Sequence, residues 1–349
     1  MKREDGMTER RSTYNPGESP LRDGPRRPVR VTAIGGGTGL STLLHGIGRG
    51  GHGFEVTAIV AVTDDGRSSG RVRAEFGVLP PGDIRNCLVA LAPAGDRLTA
   101  LFDHRFPGEG GLGGHALGNL ILLALSQLEG GDFLAGIEAA RSLLGVESRV
   151  LPSTLSPVEL QARIGERWVV GQIAIKSHQG PIADLRLSPP DVEPLPAAIE
   201  AIRTADLITL GPGSLFTSVI TNLVVPGIAK AIVASPARKI YICNAMTEYD
   251  ETDGMSAIDH VRTLLGYLGG GRIDDALFNC APISPSMRDR YARERAVALP
   301  PPQEVPPDLR DIRFHQLPLA SEEGFVRHDP GRLRAALLEI CSDRMDQTV

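Results

Sequence analysis

Val29-Arg-Val-Thr-Ala-Ile-Gly-Gly-Gly-Thr-Gly39 is the stretch from which the fold can be read. A run rich in β-branched side chains, residues 29–34, passes directly into the small residues Gly35, Gly36, Gly37, Thr38 and Gly39. Apolar spacing then predicts a helix from residue 41 to about 48 and a second strand over 55–63, which ends on Asp64-Asp65-Gly66. Strand, glycine loop, helix, strand is a βαβ unit, and strands this apolar are buried on both faces of a parallel sheet.

Working outward, the same grammar recurs. A helix near 195–204 leads to a strand at 206–210, the loop Gly211-Pro-Gly-Ser214 and a helix starting near residue 215. Strands follow at 239–243, 274–279 and 312–317, with helices at 256–267 and from residue 331. Between the two βα units the chain is helical at 84–91, 115–128 and 132–145, with Asp83 placed to cap the first of these. Residues 158–164 and 168–175 alternate like a β-hairpin, an antiparallel insertion at about 150–190. The predicted architecture is a Rossmann-like α/β fold: a mostly parallel sheet with helices on both faces, formed by one domain over 29–343. Residues 1–28 are polar and rich in Arg, Pro and Gly; they read as a disordered tail.

Composition excludes several classes. The 349 residues are 42% hydrophobic and 23% charged, ordinary values for a chain with a sizeable core. No uninterrupted apolar run reaches the roughly 18 residues of a membrane span. A net charge of −5 makes nucleic acid an improbable partner. The opening segment has no secretory h-region, and Cys87, Cys243, Cys280 and Cys341 form no disulfide framework, so a reducing cytoplasm is expected. Lysines occur at positions 2, 176, 230 and 239 alone, so no glycine loop is followed by the lysine of a P-loop.

Candidate ligand-binding residues cluster at predicted strand ends, where open parallel sheets bind ligands. The ends 35–39, 63–69, 211–214 and 244–247 should converge on one crevice. Gly35–Gly39 before a helix suits a phosphate, because glycines let backbone N–H groups approach an anion and the helix dipole favours negative charge. Ser41 and Thr42 add hydroxyls. Leu40 occupies the place of the third glycine of a dinucleotide fingerprint, which disfavours a dehydrogenase. Asp64, with Asp65 beside it, can hold a ribose hydroxyl or a Mg²⁺ carrying phosphates, and Arg67, Ser68 and Ser69 supply donors. An Asx-type turn with solvated charges explains the same residues without a ligand. Asp83, Arg85 and Asn86 share one helical turn. His115 and Asn119, four apart, fall on one face of a helix, as a satisfied core pair or as ligand contacts. Gly211, Gly213, Ser214, Thr217 and Ser218 repeat the anion-loop pattern. Tyr291 and the cluster Arg327-His328-Asp329 add an aromatic face and a cation. No obvious nucleophile accompanies these groups.

The segments 33–41, 62–70, 79–88, 114–120, 150–154 and 210–218, taken in order, resemble the gluconeogenesis factor family (YvcK-type), a branch of the CofD-like proteins. The resemblance implies a cytoplasmic α/β protein that binds UDP-N-acetylglucosamine and is tied to cell shape and peptidoglycan synthesis on gluconeogenic carbon sources. The enzyme branch, 2-phospho-L-lactate transferase, acts on a deazaflavin with Mg²⁺ and is the alternative reading. Family members usually carry glycine where Arg67 stands, and 244–252 lacks their usual Gln-Pro-Gly after Met-Thr.

The resulting expectation is a non-catalytic nucleotide-sugar sensor. The diphosphate lies on Gly35–Gly39 and Gly211–Ser214, with Asp64 near ribose or metal, Asn244 at a strand end, and Tyr291 and Arg327 at the sugar or uracil end. No tightly bound cofactor is expected, and Mg²⁺ belongs to the transferase alternative. The expected partners are the nucleotide sugar, an unidentified protein and a second copy of the chain in a dimer.

Overall fold

The computed structural model describes residues 27–49 and 53–346. The tail read over 1–28 lies outside them apart from Arg27 and Pro28. Arg27 is tied down, its Nη1 standing 2.8 Å from Asp206 Oδ2.

The opening motif forms β1 (Val29–Gly35), whose last five residues are buried. The chain turns at Gly36 and enters α1 (Gly37–Ile47) before the predicted start, so Gly37, Thr38 and Gly39 make the first helical turn. β2 (Phe54–Val60) pairs in parallel with β1. The helical stretch that follows comprises α2 (Arg67–Phe76), α3 (Gly82–Leu91), α4 (Arg97–Asp103), α5 (Leu117–Leu128) and α6 (Phe133–Leu143). β3 (Arg149–Pro152) then pairs in parallel with β2. Residues 149–152 therefore belong to the main sheet, and the insertion begins after them.

That insertion is an antiparallel three-stranded sheet of β4 (Glu159–Ile164), β5 (Arg167–Val170) and β6 (Ile182–Ser188), with β4 in the centre. The hairpin is present, but its second strand ends at Val170 and not at 175. Gly171, at φ +94°, turns the chain, and the Ile173 N–H donates to Asp65 Oδ1 at 2.9 Å. The carboxylate thereby holds the first turn of a short helix, α7 (Gln172–Lys176), where alternation suggests strand.

The second half runs through α8 (Pro196–Thr204) and β7 (Leu207–Leu210) into a π-helical turn, Leu215–Ile220, that merges with α9 (Thr221–Leu223). There follow α10 (Ile228–Ala234), β8 (Arg238–Ile242), α11 (Ala257–Tyr267), β9 (Asp275–Asn279), α12 (Pro285–Arg293) and β10 (Arg313–Leu317). A small hairpin of β11 (Ala320–Ser321) and β12 (Arg327–His328) precedes α13 (Pro330–Asp346).

The main sheet has seven strands in the order β10-β9-β8-β7-β1-β2-β3, every neighbouring pair parallel. Every residue of β7 and β9 is buried, as helices covering both faces require. From β1 the chain steps outward to β2 and β3, then returns to the far side of β1 for β7. The strand order thus reverses between β1 and β7, the position at which such sheets open a ligand crevice.

Two packing features set that crevice. Leu40, Leu43, Leu44 and Ile47 bury one stripe of α1, each worth roughly 1.5–3 kcal/mol on burial. At Gly39 a Cβ would stand 2.6 Å from both Gly213 Cα and Pro212 O, so α1 and the loop after β7 abut backbone to backbone. At the opposite end of the sheet, Arg238 makes a two-pronged ion pair with fully buried Asp275, at 2.6 and 2.8 Å. Asp275 also meets His315 Nε2 at 2.8 Å, and Arg238 donates to the Ile340 carbonyl in α13.

Candidate functional site

A cleft of about 440 Å³ opens at the carboxyl ends of β1 and β7. Gly36, Gly37, Thr38 and Gly39 form one side of its floor and Pro212, Gly213 and Ser214 the other. The walls come from the segment after β8 (Asn244 to Glu248), from α7 (Gln172, Lys176), from α12 (Tyr291) and from β12 (Arg327, His328).

The glycine loop already faces carboxylates. Asp83 does not cap its own helix, whose N-cap is Pro81. Its carboxylate instead accepts the Gly37 N–H at the amino end of α1. A Cβ on Gly36 would lie 2.8 Å from Asp83 Oδ2. Burial, and then the charge of Asp64, push the Asp83 carboxyl up to about 7. Asp64 accepts the Gly66 N–H at 3.0 Å and leaves an oxygen toward Gly82, where a Cβ would stand 2.9 Å from it.

The opposite wall carries a second polar cluster. Ser214 donates to Glu248 Oε2 at 2.5 Å, and Asn244 donates to Glu248 Oε1 at 3.0 Å. Asn244 Oδ1 in turn accepts the Gly213 N–H at 3.3 Å. Burial, then the neighbouring Glu251 charge, push the Glu248 carboxyl up to about 7. Lys176 Nζ lies 3.7 Å from Glu251 and 3.9 Å from Glu248. Burial disfavours its charge, but the carboxylates of Glu251 and Glu248 outweigh that and raise its pKa.

Glu251 corrects the reading of 211–218 as a second open anion loop. It is fully buried and accepts the backbone N–H groups of Phe216 and Thr217, each at 2.9 Å, and the Thr217 hydroxyl at 3.0 Å. The donors at the start of the π-helical turn are therefore satisfied within the protein. The positive charge on the cleft walls is supplied by Lys176 and Arg327. Tyr291 and Arg327 share one wall, and the Tyr291 hydroxyl accepts the Val326 N–H at 3.0 Å. Beside them His328 is buried, with Nε2 unpartnered among the described residues. Burial lowers its pKa to about 4, so the ring is neutral at pH 7.

A second cavity, of about 330 Å³, adjoins the cleft and shares Asp64 with it. Arg67, Ser68, Ser69, Arg85, Asn86, Arg105 and Asn119 line it. The Ser68 hydroxyl is a hub: it accepts from Asn119 Nδ2 at 2.9 Å and from the Ala116 N–H at 3.2 Å, and lies 3.2 Å from His115 Nδ1. His115 precedes α5, whose N-cap is Ala116, so His115 and Asn119 do not share a helix face. They meet through Ser68.

With this geometry in place, comparison with known proteins is direct. The family model described as 2-phospho-L-lactate transferase CofD matches residues 31–314. The chain belongs to the CofD family. Within that family it is 41% identical over 310 residues to the gluconeogenesis factor of Halalkalibacterium halodurans, spanning 88% of this chain and 95% of that one. It is 38% identical over 321 residues to the gluconeogenesis factor of Bacillus subtilis, spanning 90% and 98%. A crystal structure of a protein member of the UPF0052 family from Bacillus halodurans superposes with a TM-score of 0.84 at 41% identity. It covers 90% of this chain and 100% of that one. These relatives make the chain a gluconeogenesis-factor branch member of the CofD family.

In this CofD-family chain the predicted site residues fall into three groups. Gly36, Gly37, Thr38, Gly39, Asp64, Asp83, Gly213, Ser214, Ser218, Asn244, Tyr291 and Arg327 line the cleft. Ser68, Ser69, Asn86 and Asn119 line the second cavity. Gly35 ends a buried strand, Asp65 starts α7, His115 stands behind Ser68, Gly211 shapes the loop at φ +82°, and Thr217 serves Glu251. Ser41 and Thr42 donate back to the carbonyls of Gly37 and Thr38, although Thr42 also touches the cleft. His328, expected in the cluster 327–329, lines the cleft as well, whereas Gln172, Lys176 and Glu248, with Glu251 behind them, are site residues that the sequence does not single out. Lys176 had one visible signal, its rarity as a lysine.

Proposed function

We propose that this gluconeogenesis factor is a nucleotide-sugar sensor whose ligand is UDP-N-acetylglucosamine. The observation that carries the reading is the slot at the β1/β7 reversal, in which two glycine loops meet backbone to backbone opposite a tyrosine and an arginine. Its volume falls in the range of ligand sites, roughly 300–1,000 Å³. The diphosphate sits over the amino end of α1, where aligned N–H groups favour an anion. Lys176 and Arg327 supply positive charge, and Tyr291 offers a face to the sugar or base. Binding in the cytoplasm then reports nucleotide-sugar supply to a protein partner, in support of cell shape and peptidoglycan synthesis during gluconeogenic growth.

The carboxylates of Asp64 and Asp83 flank the phosphate seat, so a diphosphate there meets negative charge. Two carboxylates suit a Mg²⁺ that keeps phosphate and water ligands, whereas no group of three or more His, Cys, Asp or Glu among the described residues is placed to cage a metal. Asp64 and Asp83 would hold that ion, which would neutralise the diphosphate. The same pair favours the second reading, transfer of a phosphate-bearing group to a deazaflavin.

Calorimetric titration with UDP-N-acetylglucosamine, GDP and NAD, with and without Mg²⁺, tests both. Selective binding of the uridine sugar without product supports the sensor. Preference for GDP with strict Mg²⁺ dependence and turnover on a deazaflavin replaces it with the transferase. Gly37→Asp, which places a carboxylate at φ +60° beside Asp83, should abolish binding; a folded variant of full affinity would sink the proposed pose.

A further inference from the structure

The second cavity has chemistry of its own. Three arginines (Arg67, Arg85 and Arg105) and a single carboxylate, Asp64 at its border, line it. Arg85 is 4% exposed; its Nη1 pairs with Asp103 at 2.7 Å, while its Nε–H is buried with no partner among the described residues. Burial pulls the Arg85 guanidinium below its usual pKa, against the attraction of Asp103, and nearby Arg105 adds to the pull. Arg105 spends one N–H on the Gly114 carbonyl, and the Arg67 side chain has no hydrogen bond or ion pair among the described residues. Arg67 also holds a left-handed backbone, φ +38°, a costly conformation for an arginine of the kind that gathers at ligand sites.

The cavity offers an acceptor as well. Asn119 Oδ1 is buried without a partner while its amide nitrogen is engaged by Ser68. Buried polar groups left unmatched are costly unless a ligand or water completes them. Guanidinium forks complete themselves on phosphate oxygens, and an amide oxygen completes itself on a hydroxyl. We propose that this cavity is a second ligand site, for a small phosphorylated hydroxy compound, with the phosphate held by Arg67, Arg85 and Arg105 and a hydroxyl donated to Asn119. The assignment goes beyond the nucleotide-sugar reading and does not depend on it, since no nucleotide enters the argument.

The test is calorimetric titration of the full chain at low ionic strength with inorganic phosphate and with 3-phosphoglycerate as probes. Arg105→Gln and Arg67→Gly should each weaken binding about 10-fold, the loss of one charge-assisted hydrogen bond. Arg85→Gln should weaken it further, and thermal melts establish which variants are folded. Arg105 is exposed, so its variant remains informative even where Arg85→Gln fails to fold. Lys176→Gln, in the cleft wall, separates the two sites. Binding lost with Arg105→Gln and kept with Lys176→Gln supports the assignment. The converse pattern places the anion in the main cleft and overturns it, as does failure of the folded wild-type chain to bind either probe.

Discussion

At the scale of single residues, the cleft is governed by carboxyl groups poised near neutrality. The raised pKa values of Asp83 and Glu248 mean that the folded chain binds protons more tightly than the unfolded one. Their contribution to stability is therefore fully present below the unfolded values near 4 and is lost as pH rises through about 7. Melting curves from pH 5 to 8 should show this loss, and Asp83→Asn should remove the Asp83 part of it. In the absence of Mg²⁺, affinity for a phosphate-bearing ligand should rise as pH falls from 8 to 6, because each proton taken up removes a repelling charge; titrations across that range read it directly. Gly39→Ala forces a methyl group into the backbone of the loop after β7 and should cost about 1–3 kcal/mol of stability together with ligand affinity, checked by denaturant unfolding and titration. The small residues and carboxylates nearest these motifs were legible in the sequence, because glycine before a helix and Asp at a strand end each announce a role. Glu251 was not. A glutamate in a polar loop carries no sign that it folds back to cap a π-helical turn.

At the scale of elements, α7 is the instructive case. The alternation of Trp168 to Ile175 continues the strand period, and the competing influences lie elsewhere: a glycine at φ +94° and the carboxylate of distant Asp65, which accepts the Ile173 N–H. Local pattern lost to a tertiary hydrogen bond, and with it went sight of Lys176, which only a helix turns toward the cleft. Asp65→Ala should release the first turn of α7, weakening nucleotide-sugar binding several-fold while lowering global stability by only about 1 kcal/mol, the net worth of one hydrogen bond. A contrasting element-level result is expected at the other end of the sheet. Asp275→Asn leaves Arg238 as a buried charge with an impaired partner between β8, β9 and α13, and should cost about 3–5 kcal/mol in denaturant unfolding without a specific effect on the cleft.

At the scale of the whole molecule, the parallel sheet followed from two strand–loop–helix units, since apolar strands joined by helices leave few other solutions. The strand order did not. Only the pairing of β1 with both β2 and β7 decides which loops face each other, and that pairing depends on packing between segments more than 170 residues apart, as in the contact of Val31 with Leu207. It also explains why four strand ends expected in one crevice are divided: 36–39, 212–214 and the segment after β8 meet in the cleft, while Ser68 and Ser69 turn into the neighbouring cavity.

The separation along the chain between the glycine floor and β12 has a consequence for biosynthesis. The glycine floor is translated long before the wall bearing Arg327 and His328, which comes just ahead of the helix that closes over α1, where Gly46 leaves no space for a side chain against Pro330. A nascent chain carrying both glycine loops therefore still lacks half of its pocket. On the proposed reading, copies interrupted or clipped ahead of β12 lack that wall and should bind the nucleotide sugar weakly, which titration of a chain cut before residue 319 would check.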